Sequence, residues 1–162
     1  MQHHATVEWE RGTQAFTDQR YQRAHHWAFD GGTRVAASSS PQVVPLPYSD
    51  PYAVDPEEAF VAALSSCHML WFLGIAAGRG FIVDRYRDQA VGHMRRDHEG
   101  RMWIARVELH PVVEFSGSRT PDAPTLAQLH HDAHSECFLA RSVRSEVVVV
   151  DQTRLEGDDN SQ

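Results

Sequence analysis

The stretch DPEEAFVAALSSCHMLWFLGIAAGRG, from Asp55 to Gly80, constrains the fold of this chain more than any other. Asp55 reads as a helix N-cap, Pro56 suits the first helical position, and Glu57 and Glu58 lie over the positive end of the helix dipole. The helix is expected to run from Pro56 to about Ala77, where Gly78-Arg79-Gly80 supplies the stop. Phe60, Val61, Leu64, Leu70, Trp71, Phe72 and Ile75 point in every direction around it, so it must be covered on most sides. A membrane span is conceivable by length. Ser65, Ser66, Cys67, His68 and Gly74 interrupt the apolar run, however, and its start is acidic, which favours a buried core helix. With 162 residues the chain makes one domain, and one small domain struggles to cover such a helix. An intimate homodimer is the economical answer.

The remaining elements read as short strands and one further helix. Thr6 to Trp9 and Gln22 to Phe29 alternate, and Asp30-Gly31-Gly32 leads into Thr33 to Ala37 as a hairpin. Residues 1–20 form an N-terminal arm. Pro41, Pro45, Pro47 and Pro51 make the following segment a long ordered loop, a type that tends to be functional. After the core helix come two long strands, about Val83 to Arg96 and Arg101 to Phe115, joined at Asp97-His98-Glu99-Gly100. Thr125 to Gln128 reads as a capping box that starts a second helix through about Arg141. Glu146 to Val150 closes the domain as a strand, and residues 152–162 are expected to fray. Strands, core helix, strands, helix, strand is an α+β order.

Composition removes several classes of function. Lys+Arg number 15 against Asp+Glu 22, a formal charge of -7, and no basic run is available to hold a phosphate backbone. Nucleic acid is not an expected partner, nor is a membrane. The first residues, MQHHATVEWERG, show no secretory signal, which points to a cytoplasmic protein. Two cysteines make no disulfide framework and read as free thiols or a redox pair.

Those two thiols carry the functional argument. Cys67 lies mid-helix on a stripe with Phe60, Ala63, Leu64 and Trp71; Cys137 shares the inward face of the second helix with Leu126, Leu129, Ala133 and Ala140. Buried free cysteines often only fill space. Here Ser65-Ser66-Cys67-His68 and His134-Ser135-Glu136-Cys137 set polar groups into otherwise apolar faces, the surroundings that a reactive thiolate needs.

DPEEAFVAALSSCHM, the second cysteine in HSECFLARSV 70 residues after the first, and the closing VVVV strand together resemble the OsmC/Ohr family, the osmotically inducible and organic hydroperoxide resistance proteins. The likeness covers roughly Tyr21 to Asp151. It implies an OsmC-like fold of two intertwined subunits, with long central helices enclosed by antiparallel sheets from both chains. It also implies a thiol-dependent peroxidase without metal or organic cofactor. Cys67 would be the peroxidatic residue and Cys137 the resolving one, the resulting disulfide being reduced by an external dithiol.

The resemblance further assigns Glu57 as the catalytic glutamate that holds an arginine beside the reactive thiol. Ten helical residues are about 15 Å of rise and roughly 80° of rotation, so Glu57 cannot reach Cys67 along its own helix, and the other subunit would complete the site. The bland reading of Glu57 is a carboxylate on the helix dipole. For the arginine, Arg23 is preferred because it lies in a strand beside Tyr21; Arg34, next to the hairpin turn, is the alternative and reads as a solvated charge.

Eleven histidines raise a metal hypothesis, above all His130, His131, His134 and Cys137 on one helix, but a single helix supplies two or three ligands at best. His68 and His134, flanking the thiols, are instead the histidines placed to tune them. Trp71, one turn after Cys67, is the first candidate for the wall of an apolar funnel. Two rivals to the peroxidase remain: a non-catalytic protein of the same fold that binds a small apolar or thiol ligand at the dimer interface, and a metal-binding protein.

Overall fold

The computed structural model describes residues 1–150, and the tail expected to fray lies outside them. The chain divides into two compact units, Met1–Ala59 and Phe60 onward, with the boundary inside the core helix.

The first unit is a three-stranded antiparallel sheet, β1 (Ala5–Glu8), β2 (His25–Phe29) and β3 (Arg34–Ala37), in that order. The expected hairpin is present: Gly32 takes φ +83°, which glycine adopts without strain, and Phe29 N–H donates to Thr33 O at 3.0 Å. β2 is shorter than expected, so Arg23 precedes the strand rather than lying in it. The proline-rich loop is tied down through its backbone. Ser38 N–H donates to Val54 O at 3.0 Å, Val54 N–H to Ala36 O at 3.0 Å, and Arg23 N–H to Tyr48 O at 2.9 Å.

The core helix, α1, spans Pro56–Gly78. Its start is a reciprocal cap in which Glu58 N–H donates to Asp55 Oδ1 at 2.8 Å and Asp55 N–H to Glu58 Oε1 at 2.9 Å. Its end is a left-handed glycine, Gly80 at φ +78°, with Phe81 N–H returning to Ala76 O at 3.0 Å.

In the second unit the two long strands expected after α1 are each broken once. They become β4 (Ile82–Asp88) and β5 (Val91–Arg96), then β6 (Met102–Leu109) and β7 (Pro111–Ser116). β4 pairs with β7 in one sheet and β5 with β6 in another, so a single long hairpin is creased into two. The crease has a local cause at His110. Pro111 brings no N–H to the ladder, and the His110 N–H turns to the Asp88 carboxylate at 2.6 Å.

β8 (Glu146–Val149) joins β6 in parallel, its register set beside the ion pair of Arg106 with Glu146 at 2.8 Å. The second helix, α2, spans Ala123–Glu136 and differs from expectation at both ends. Its cap is Asp122, whose carboxylate accepts the Thr125 N–H at 2.9 Å, while Gln128 bonds Asp132 instead of closing a capping box. It stops before Cys137, and Ala140–Ser142 forms a separate 3-10 turn.

α1 buries one stripe at four-residue spacing: Leu64, His68, Phe72 and Ala76. Leu64 packs with Val107 and Leu109. Phe72 and Ala76 pack with Phe81, Leu129 and Ala133. The single chain leaves much of the rest of the helix uncovered, Leu70 being 63% exposed. Phe72 is fully buried against Tyr86, Phe115 and His130, with ring centroids 5.5, 6.5 and 4.4 Å away. Phe72→Ala is expected to cost about 3–5 kcal/mol of stability, measurable by urea unfolding.

Candidate active site

The two cysteines, far apart in sequence, come together in the second unit. Cys67 sits mid-α1 and is half-buried; Cys137 caps the C-terminus of α2 at 1% exposure; both are free thiols. They lie close enough to perturb one another. Ending α2 at Glu136 matters here, because Cys137 at ψ 110° leaves the helical path and carries its sulfur out of the helix-face alignment. The Ala140 N–H donates to its Sγ at 3.4 Å and fixes it in the turn.

Burial, and after it the neighbouring Cys67 sulfur, push the Cys137 thiol up to about 11. At neutral pH Cys137 therefore keeps its proton. The pair is asymmetric in access: the half-buried Cys67 sulfur is the one a solute meets first, and Cys137 lies beneath the surface. Beside the pair, Trp71 meets Phe138 edge to face, centroids 5.4 Å apart, and Phe138 is 63% exposed. Trp71 thus belongs to an aromatic edge next to the thiols, with Phe138 as its second member.

His68 turns away from its neighbour Cys67 into the centre of the unit. Its Nε2 lies 3.1 Å from His130 Nδ1, the two rings stack at 5.4 Å and 9°, and its Nδ1 is buried with no hydrogen-bond partner among the described residues. Burial first, then the proximity of His130 and His134, lowers the His68 pKa to about 4, so it is neutral at physiological pH. His130, a member of the histidine run that suggested metal, is engaged by His68 and by Phe72.

Arg23 and Glu57 lie in the first unit, and both line one pocket of about 410 Å³. Because Glu58 takes the capping role, Glu57 is left to face the pocket, where no hydrogen bond or ion pair joins it to another described residue. Arg23 does not pair with it. Its Nη1 donates to Gln19 O at 2.8 Å and to Tyr21 O, and its guanidinium lies 3.8 Å over the Tyr21 ring. Arg34, the other candidate, pairs with Glu8 at 3.2 Å with both side chains more than half exposed, a solvated hairpin charge.

Sequence reading missed the rest of the pocket wall. Trp9, Phe16 and Tyr21 form an aromatic cluster, Phe16 on Tyr21 at 4.6 Å and Trp9 on Tyr21 at 5.3 Å. Phe16 and Tyr21 fall among turns and bends with no periodicity to mark them, and only the aromatic density of the stretch from Trp9 to Tyr21 offered a signal.

Comparison with known proteins places the fold. The family model described as OsmC-like protein matches residues 49–150. A solved OsmC-like protein of unknown function from Vibrio cholerae is 51% identical, with 93% of this chain and 98% of that one covered and a TM-score of 0.90. The fold recurs in an organic hydroperoxide resistance protein from Elizabethkingia anophelis, at 16% identity, TM-score 0.67 and coverage of 92% of each chain. It recurs also in the organic hydroperoxide resistance protein OhrB of Bacillus subtilis, at 17% identity, TM-score 0.62 and coverage of 92% of this chain and 95% of that one. No functionally curated protein matches the chain. A family match over well more than half the residues, and a 51% identical structure of the same family along nearly the whole length, make the chain a member of the OsmC-like family, in an α+β fold.

Proposed function

We propose that this protein is a cytoplasmic, homodimeric thiol peroxidase that reduces organic hydroperoxides through a disulfide cycle of Cys67 and Cys137. The observation that carries the reading is the pair of free thiols brought together at unequal depth. The Cys67 thiolate attacks the distal oxygen of the hydroperoxide; the O–O bond breaks, the alcohol departs with a proton, and Cys67 becomes a sulfenic acid. Cys137 then attacks that sulfur, the S–S bond forms and water leaves. An external dithiol supplies two electrons and two protons to restore both thiols.

Arg23 and Glu57 enter as the guanidinium and carboxylate that the family resemblance assigns to the reaction. The exposed aromatic edge of Trp71 and Phe138 supports an organic rather than an inorganic peroxide. The uncovered apolar face of α1, Leu70 included, supports a second subunit.

The test mixes reduced protein with one equivalent of an organic hydroperoxide and follows intact mass and non-reducing digestion. A Cys67–Cys137 disulfide is expected within seconds. Two thiols that survive untouched would overturn the peroxidase and leave a ligand-binding protein with inert cysteines.

A further inference from the structure

A second cleft, of about 560 Å³, lies wholly in the second unit, and neither Cys67 nor Cys137 lines it. One side of it is α2; the other is β8 with the start of β7. Among the described strands β8 pairs only with β6 and β7 only with β4, so each leaves one edge open. Residues 147–150, all of them valine, line the cleft in unbroken succession. Side chains of a strand alternate between its faces, so four successive residues reach one cleft only where it runs along the strand's edge.

The wall is apolar except at three imidazoles. Leu126, Pro111, Val112 and the four valines supply the apolar part, and His130, His131 and His134 the polar part. His130 is engaged by His68 and Phe72. The rings of His131 and His134 are hydrogen-bonded to no other described residue, and three positions apart they are neighbours on the surface of α2. No Asp, Glu, Lys or Arg lines the cleft. The titratable groups near the two rings are His130 on the same helix, His68 from α1, and Asp132, which Arg79 of α1 and Gln128 hold; β7 and β8 turn only apolar residues to the cleft.

An ammonium head would find no anion in this wall and would face groups that can themselves take up a proton. A carboxylate accepts from the N–H groups of both His131 and His134, and an imidazole that gains a proton beside it makes the bond a charged one. The valine and leucine surface suits a compact saturated skeleton behind that head. We propose that the cleft between α2 and the open edges of β7 and β8 binds a compact apolar monocarboxylate, its skeleton against residues 147–150 and Leu126 and its carboxylate on His131 and His134. Because neither thiol lies in the wall, the ligand is held there and not converted, and the inference does not rest on the peroxidase reading.

The experiment is calorimetric titration of the reduced, unsubstituted chain with cyclohexanecarboxylate, cyclohexylmethanol and cyclohexylmethylammonium, probes alike in size and skeleton. The carboxylate is expected to bind saturably, at least about 10-fold more tightly than the alcohol or the ammonium, and to weaken several-fold from about pH 6 to about pH 8 as the imidazoles lose their protons. His131→Ala, at an exposed position and so of little weight in folding, is expected to weaken the carboxylate by about 10-fold and leave the alcohol unchanged. Ala127→Glu, at an exposed helical position that lines the cleft, is expected to reverse the preference from carboxylate to ammonium, a gain that misfolding cannot produce. No saturable binding of the carboxylate, equal binding of the probes, an affinity that ignores pH, or an Ala127→Glu chain that still prefers the carboxylate would overturn the proposal. Binding seen only where sedimentation shows the chain to be monomeric would overturn it too, because a second copy would then fill the cleft.

Discussion

Cys67→Ser is expected to reduce organic hydroperoxide consumption by at least about 10³-fold, to background, while Cys137→Ser should turn over once and stop. The two variants differ because the thiols sit at different depths. A serine hydroxyl is far too weak an acid to ionise near neutrality, and oxygen is a poorer nucleophile toward the peroxide bond than sulfur, so losing Cys67 removes the first step altogether. Cys137 is at 1% exposure and its thiol is pushed up to about 11, which makes it a poor first attacker and a protected second one.

Without Cys137 the Cys67 sulfenic acid has no partner sulfur. It should gain one oxygen by mass, react with dimedone, and pass to sulfinic acid when peroxide is in excess. Stopped-flow consumption of an aromatic hydroperoxide with intact-mass analysis checks both. A Cys67→Ser chain that still consumes peroxide, or a Cys137→Ser chain that keeps cycling with a dithiol, would reassign the roles.

The second large effect is on acid stability. His68 titrates near 6.5 when unfolded and at about 4 in the folded protein, because burial, with His130 and His134 nearby, disfavours the imidazolium. Above pH 6.5 neither state is protonated and His68 adds no pH dependence. Between 6.5 and 4 the unfolded chain binds a proton that the folded one refuses, so stability falls as pH falls. The loss is about 1.4 kcal/mol per pH unit and about 3 kcal/mol in all by pH 4, a large share of the stability of a domain this size.

His68→Leu is expected to make the dependence of unfolding free energy on pH shallower by about one proton in that window. At pH 7 it should be somewhat less stable, because His130 loses the ring nitrogen it faces at 3.1 Å. Urea titrations at half-unit steps from pH 4 to 7.5 read both. An unchanged slope would mean that His68 is charged in the folded protein.

α1 was legible almost to the residue, because capping acids, Pro56 and the closing glycines are local signals that act within one turn. The β2–β3 hairpin was legible for the same reason, in its Asp-Gly-Gly turn. Two continuous strands were read where four exist, because alternation persists across the crease at His110 and the bond that makes it comes from Asp88, 22 residues away. The end of α2 was read five residues late, since the apolar spacing continues through Ala140 while the backbone does not.

The sequence by itself determined the α+β order, the identity of the two thiols, and the placing of Glu57 on the first turn of α1, through residue type and near-neighbour spacing. Packing between distant segments decided that Cys67 and Cys137 are neighbours, which of them is buried, and that His68 faces His130 rather than the thiols. It alone decided that Arg23 and Glu57 share an aromatic-walled pocket without pairing, while Arg34 spends its charge on Glu8. Each of those outcomes depends on which segments fold against one another across tens of residues, and the depth, proton affinity and partners of a side chain follow from that packing and not from its neighbours in the chain.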